Sequence, residues 1–321
     1  MRRRVEIMTE FIARVRDALD ESAKDGRKRW LCVRVPAEKQ DWIKVGFDPK
    51  VWRAAGVDIF NLSPSSIISE QTDVALVREL VPEATVYVEL GSYAHRWKIM
   101  IGDKRSDNWR RASKEMLENA ARTAYGRGAD GITLFNFVYY RSFYSIKDEH
   151  SGPSIQPPFH YLSALASPET LTAPPYYYYA PDDRMPQWEY RFTEKDAKPY
   201  VFFMDTYRPP QAPLAFRMQV LGEAEQKFYE TQPPDRIDRG QWEVSINGQK
   251  LERIANLESW GVYPFAVEFP GGLGYPEQYL AWLVPKGLLK DGKNEVSVRL
   301  VKGDPMWFRW SEIFNPDDIK K

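Results

Sequence analysis

Glu89 closes the apolar run Thr85-Val86-Tyr87-Val88-Glu89-Leu90, and of the titratable residues it is the one best placed for acid–base or nucleophilic work. Burial at the end of a strand disfavours the charged form of a carboxyl and raises its pKa, as a general acid requires. The other reading is a structural carboxylate paired with Arg34 or Arg96, since buried charges are normally paired. Arg34, Asn61 and Asn136 stand at the ends of three further apolar runs, and His95, Arg96, Trp97, Tyr139 and Arg141 follow two of the runs closely. A guanidinium at Arg34 or Arg141 grips hydroxyls, a carboxylate or a sulfate, or serves an ion pair in the framework. The Trp97 ring is a flat stacking surface and His95 a proton shuttle, unless both simply pack a loop. The three histidines, His95, His150 and His160, form no pair at helical spacing, so no metal site is expected. No Ser-His-Asp or Cys-His arrangement can be argued from the spacings. Cys32, the one cysteine, lies in an apolar run and is expected to be a buried small hydrophobe.

These residues need elements to hold them. Val5, Met8, Phe11, Ile12, Val15 and Leu19 recur at helical spacing, and Asp25-Gly26 ends that segment before an apolar strand at 30–35. A short helix at 51–55 closes at Gly56 and leads to a strand at 57–62; a helix over 73–80 leads to the strand at 85–90. A long helix is expected over 109–125, then a fourth strand at 131–137 with Asp130 as a turn residue before it. The four apolar runs lack the in–out alternation of a sheet with one wet face, which predicts a parallel sheet covered by helices. No glycine-rich phosphate loop follows any strand, which removes the dinucleotide-binding version and leaves no cofactor implied.

Pro174-Pro175, the run Tyr176 to Tyr179 and Ala180-Pro181-Asp182-Asp183 read as a boundary, the tyrosines lining a cleft or packing between domains. Beyond it come short β-type runs at 188–192, 200–204, 214–220, 242–246, 266–269, 279–284 and 295–300, separated by Asn247-Gly248, Gly271-Gly272 and Asp291-Gly292. That pattern predicts a β-sandwich. The domains expected are therefore 1–180 and 185–321. Lys plus Arg and Asp plus Glu balance at 45 each, which argues against a nucleic-acid partner while leaving room for a local basic patch. No run is apolar enough to span a membrane, and Met1-Arg2-Arg3-Arg4 is not followed by an apolar signal segment, so a cytoplasmic location is the default expectation.

Two segments carry a resemblance. Arg127-Gly128-Ala129-Asp130-Gly131-Ile132-Thr133-Leu134-Phe135-Asn136-Phe137 resembles the last barrel strand of bacterial glycoside hydrolase-like (β/α)8 proteins, and 158–171 looks like the closing helix and exit of such barrels. Val244-Ser245-Ile246-Asn247-Gly248, with Leu280-Ala281-Trp282 and the turn from Leu288 to Asn294, is similar to the jelly-roll modules that follow many glycosidase domains. The resemblance implies half of a TIM-type barrel, strands five to eight, followed by an antiparallel sandwich. It implies a site at the C-terminal strand ends and a carbohydrate substrate or ligand. The acid that relatives carry at the end of strand four has no counterpart here. Hydrolysis needs two carboxylates, so Glu38, Asp41 or a partner chain must supply the second, and a non-catalytic carbohydrate-binding protein or truncated pseudoenzyme is the alternative. Four β/α units do not close a barrel, so a homodimer or a partner chain is expected to complete it.

Overall fold

The computed structural model describes residues 2–64, 68, 71–101, 104–137, 159–180, 190–222, 240–254 and 279–319. The chain opens with a 21-residue helix α1 (Arg2–Ser22), then strand β1 (Cys32–Pro36), helices α2 (Lys39–Val45) and α3 (Pro49–Ala54), and strand β2 (Ile59–Ser63). Helix α4 (Val74–Leu80), strand β3 (Thr85–Gly91), a hairpin of β4 (Tyr93–Ile101) and β5 (Lys104–Arg111), helix α5 (Lys114–Gly126) and strand β6 (Gly131–Phe135) complete the first part. Local chemistry sets several of the ends. Asp48 accepts a hydrogen bond from the Val51 amide ahead of Pro49, and Ser113 accepts one from the Met116 amide, satisfying first-turn donors that helices leave open.

Strands β1, β2, β3 and β6 pair in that order, each parallel to the next. The sheet is open: among the described residues β1 and β6 each have one neighbour, and no closed barrel is present. Contrary to the expectation of uniformly apolar strands, the two faces differ. Val35, Phe60, Leu62, Val86, Val88 and Leu90 are buried against helix residues such as Trp42, Trp52, Val77, Met116 and Leu117. The alternate residues, Arg34, Asn61, Ser63, Tyr87, Glu89 and Thr133, are polar and lie on the other face, because side chains along a strand alternate. Cys32 falls on that face and is exposed, not buried as expected. Phe11 is also exposed rather than part of the α1 core stripe, which Ile12 fills. Gly56 has φ +102° and a Cβ there would meet the Arg16 side chain at 2.5 Å; the glycine lets α1 cross that corner.

At the N-terminal end of the sheet, Asp58 is a tie-point. It accepts from the Leu31 amide at 3.0 Å and from Lys28 Nζ at 2.5 Å, with Arg16 and Arg53 at 3.4 and 3.6 Å. Burial pushes its carboxyl up, but the hydrogen bonds from Lys28 and Leu31 and the charges of Lys28 and Arg16 outweigh that and carry it below its ordinary value.

After a short helix α6 (Tyr161–Ala164) the chain is strand-rich: β7 (Tyr176–Tyr179), β8 (Arg191–Phe192), β9 (Tyr200–Thr206), β10 (Leu214–Gly222), β11 (Gln241–Ile246), β12 (Gln249–Lys250), β13 (Glu252–Ile254), β14 (Tyr279–Val284), β15 (Gly292–Lys302) and β16 (Met306–Phe314). Two antiparallel sheets, β13-β14-β10-β16-β7 with β8 beside β16, and β12-β11-β15-β9, enclose a core of Phe202, Val244, Val296, Phe216, Trp282 and Phe308. The Asn247-Gly248 turn has positive φ at both residues, as a two-residue hairpin of type I′ needs. The tyrosine run assigned to the linker is instead strand β7, paired with β16. Strand β16, absent from the sequence reading, sits between β10 and β7 with both faces covered. The expected strand at 266–269 and the turn at Gly271-Gly272 lie outside the described residues.

The outer face of the larger sheet packs on the helices of the parallel sheet, so Tyr176, Tyr178, Ala215, Trp310 and Phe314 join the first core. Within this layer Arg217 and Glu312 are fully buried and ion-paired, and the Tyr176 hydroxyl donates to Glu312. Burial, then the Glu312 charge, pushes the Tyr176 phenol far up, which keeps it a donor. Helix α5 carries the junction. Glu118 accepts from the Thr172 and Ala173 amides at 2.6 Å each, Asn119 donates to Pro174 O at 2.8 Å, and Arg127 pairs with Asp205 at 2.9 Å and Asp291 at 2.8 Å.

Two stability experiments follow from these contacts. Asp58→Asn should lower unfolding free energy at pH 7 by roughly 1–3 kcal/mol. Because the folded carboxyl titrates below its unfolded value, the ionised form's contribution is present above the unfolded pKa and lost as pH falls through the folded one. Urea melts of the two proteins should therefore begin to converge only as pH falls below about 4. Glu312→Leu should cost about 3–5 kcal/mol by stranding Arg217, and adding Arg217→Met should recover most of it.

Candidate functional site

The polar face of the parallel sheet is organised around Glu89. In register, Arg34 lies beside Asn61, Asn61 beside Tyr87, and Glu89 beside Thr133, so one polar position from each strand meets at the C-terminal end. Arg34 reaches past β2, two inter-strand spacings or roughly 10 Å, to grip the carboxylate. Its Nε donates to Oε1 at 2.9 Å and Oε2 at 3.0 Å, and its Nη2 to Oε1 at 2.7 Å. Ser63 Oγ donates to Oε1 at 2.6 Å and Asn61 Nδ2 to Oε2 at 3.5 Å, while Thr133 Oγ1 donates to Asn61 Oδ1 at 2.9 Å. The Arg34 guanidinium also lies 4.6 Å from the centroid of the Phe135 ring on the far edge strand, so its long side chain lies across the face instead of standing off it.

The pair is asymmetric. Glu89 is 6% exposed, whereas the Arg34 side chain is 50% exposed. The carboxylate is the buried anchor and the guanidinium the solvent-facing head. Among the described residues no hydrogen bond uses Arg34 Nη1. Such a fork, pinned on its other edge, loses little conformational freedom when it meets hydroxyls or a planar anion. Beside it, the Tyr87 ring lies over Gly131, where a Cβ would come within 2.9 Å of the ring. Gly131 thus gives an aromatic surface room to lie flat across the sheet.

The structure brings Arg34, Asn61 and Glu89 together. Asn136 follows β6 in a left-handed conformation, φ +53°, a geometry asparagine tolerates better than most residues, and it makes no hydrogen bond to the carboxylate. His95, Arg96 and Trp97 belong to β4 of the hairpin, not to a loop, and Trp109, assigned to a helix, is in β5. Tyr139 and Arg141 lie outside the described residues. Of the acids suggested as partners for Glu89, Glu38 accepts from Gln40 and Asp41 pairs with Lys44 at 2.6 Å; among the described contacts neither is bonded to Glu89. Ser63, Tyr87, Thr133 and Phe135 were missed. For Ser63 and Tyr87 the signal was present, since each lies two residues from a named position in its strand, on the same face; Thr133 and Phe135 lie an odd number of residues from Asn136, and alternation from that position pointed away from them.

A separate cleft of about 490 Å3, lined by Lys50, Arg53, Leu80 and Glu83, lies beside the Asp58 ion pairs. It is at the opposite end of the sheet, and nothing in its lining suggests chemistry. Among the described residues, no group of three or more His, Cys, Asp or Glu side chains is arranged to hold a metal ion, and no helix is long and apolar enough to cross a membrane.

No family model matches the chain, and no curated protein matches it. Among solved structures it is similar to a β-porphyranase of glycoside hydrolase family 86 from the human gut bacterium Bacteroides plebeius, with 8% identity and a TM-score of 0.28 over 97% of this chain and 74% of that chain. A likeness at that level carries no argument about activity.

Proposed function

We propose that the protein is a glycoside hydrolase-like carbohydrate-binding protein whose ligand lies on the polar face of the parallel sheet. The observation that carries this reading is the Arg34–Glu89 pair, a half-exposed guanidinium pinned by a buried carboxylate. Arg34 is the principal contact, Tyr87 the stacking surface, and Asn61, Ser63 and Thr133 hold the pair in place. The half-barrel and jelly-roll readings of the two β systems belong to the same proposal. So does completion of the open sheet by a second copy or another chain at the free edges of β1 and β6; a stable monomer at micromolar concentration would remove that part.

Hydrolysis is the second reading, favoured by one feature: Glu89 is oriented by hydrogen bonds to both oxygens at the strand ends, as a nucleophile must be. It requires another carboxylate about 5–5.5 Å away for retention or 6.5–9.5 Å for inversion.

One pair of variants separates the readings. Under the binding reading, Arg34→Met weakens oligosaccharide affinity by at least about tenfold, and Glu89→Gln weakens it too, because the guanidinium loses its anchor. Under hydrolysis, Glu89→Gln abolishes turnover and leaves affinity nearly unchanged. Titration calorimetry against an oligosaccharide panel, with thermal melts to verify folding, reads both. Arg34→Met binding as tightly as the parent overturns the binding reading.

A further inference from the structure

Between Glu89 and helix α5 the chain leaves the parallel sheet as the β4–β5 hairpin. Its strands of nine and eight residues pair only with each other among the described residues. At about 3.3 Å per residue the ribbon is roughly 25–30 Å long. Its base is fixed. Ser92 and Ala112 are buried, the Ala112 amide donates to Ser92 O at 2.9 Å, and Ser92 Oγ donates to Phe135 O at 2.6 Å. The hairpin therefore springs from the C-terminal ends of β3 and β6, the end that carries Glu89 and Phe135.

The ribbon differs in charge from the rest of the molecule. Residues 93–111 contain Arg96, Lys98, Lys104, Arg105, Arg110 and Arg111 against only Asp103 and Asp107, in a chain whose total charge is zero. Backbone register sets His95 opposite Arg110, Arg96 opposite Trp109, Lys98 opposite Asp107 and Met100 opposite Arg105. Trp97 and Trp109 stand within the same basic stretch of sequence. A two-stranded ribbon is marginal in water by itself, and cations crowded onto it repel one another, a cost that a bound polyanion offsets.

We infer that the hairpin is a binding arm for an anionic polysaccharide, one bearing sulfate or carboxylate groups, whose chain continues from the arm onto the polar face. This deepens the carbohydrate reading and rests on it. The length of the ribbon suits several sugar units. An excess of cations suits the charge of such a chain, and tryptophans interleaved with cations in the sequence match sugar faces interleaved with charge. Nucleic acid fits less well. A basic surface that tracks phosphates is normally broad, and outside this ribbon the acidic residues outnumber the basic ones.

The test compares dextran sulfate with uncharged dextran, and both with single-stranded poly(U), on the full chain. Dextran sulfate should bind at least about tenfold more tightly than dextran at low ionic strength, and the advantage should collapse at salt on the order of 0.5 M. The triple variant R96Q/K98Q/R105Q should lose the advantage with its melting temperature unchanged. A measurement on the unaltered protein guards against misfolding of the variant: dextran sulfate should protect Lys98 and Lys104 from acetylation, while the exposed Lys50 and Lys286 on other surfaces stay reactive. Equal binding of the two dextrans, retention of the preference by the triple variant, or no protection of Lys98 and Lys104 overturns the inference. So does tighter binding of poly(U) than of dextran sulfate. Failure here and failure of the sheet-face reading are distinguishable. If Arg34→Met abolishes binding of neutral oligosaccharide while the triple variant does not alter the charge preference, the arm alone is wrong. If the triple variant removes the preference while Arg34→Met changes nothing, the face alone is wrong.

Discussion

A parallel sheet whose crossover helices all lie on one side has a second face to satisfy, and much of this structure follows from how that face is treated. Consecutive parallel neighbours joined by right-handed crossovers put their helices on a common side, where Phe60, Leu62, Val86 and Val88 find their partners. The opposite face carries the polar positions Arg34, Asn61, Ser63, Tyr87, Glu89 and Thr133. The Arg34–Glu89 pair, buttressed by Ser63 and Asn61, draws together three of the four strands through side chains, in addition to the backbone ladder. A carboxylate so nearly buried would be costly alone; paired and hydrogen-bonded on both oxygens, it becomes a fixed post on which an exposed guanidinium is mounted.

Helix α5 transmits the same economy to the rest of the molecule. Its apolar side, Met116, Leu117, Ala120, Ala121 and Ala124, covers the parallel sheet. Its polar residues Glu118, Asn119 and Arg122 hold the backbone of 172–174, the stretch that delivers strand β7 to the antiparallel sheet. The larger sheet of the sandwich therefore has two apolar faces, one toward its own partner sheet and one toward the helices. On its outer side the buried polar residues Arg217, Glu312 and Tyr176 bond to one another. Charges buried this deeply are costly unless they are paired.

Among the described residues the hairpin departs from this layered scheme. It is inserted where a β/α loop would otherwise run, and its base is held by Ser92 and Ala112 at the end of the sheet that carries the Arg34–Glu89 pair. Insertions at the C-terminal ends of parallel strands leave the packed layers undisturbed, which is why a ribbon so rich in charge is compatible with the fold.

The alternation of apolar strands with helices in the first part, the Asn247-Gly248 turn and the position of Glu89 at a strand end were legible in the chain, because each depends on residues within a few positions of one another; helix α2 and the capped starts of α3 and α5 were not read from it. Local pattern also suggested Arg34 as a partner for Glu89, as one of two arginines. What it did not contain was distance in space. Whether Cys32 and Phe11 face a core or solvent depends on which layers close over them. Strand β16 escaped notice because layers cover both of its faces and erase the alternation by which strands are recognised. The β4–β5 ribbon was hidden because antiparallel pairing between 93–101 and 104–111 overrides the helical appearance of the segment starting at Trp109. In each case the deciding interaction joins residues distant in sequence or belongs to another layer, and only the assembled tertiary structure sets it.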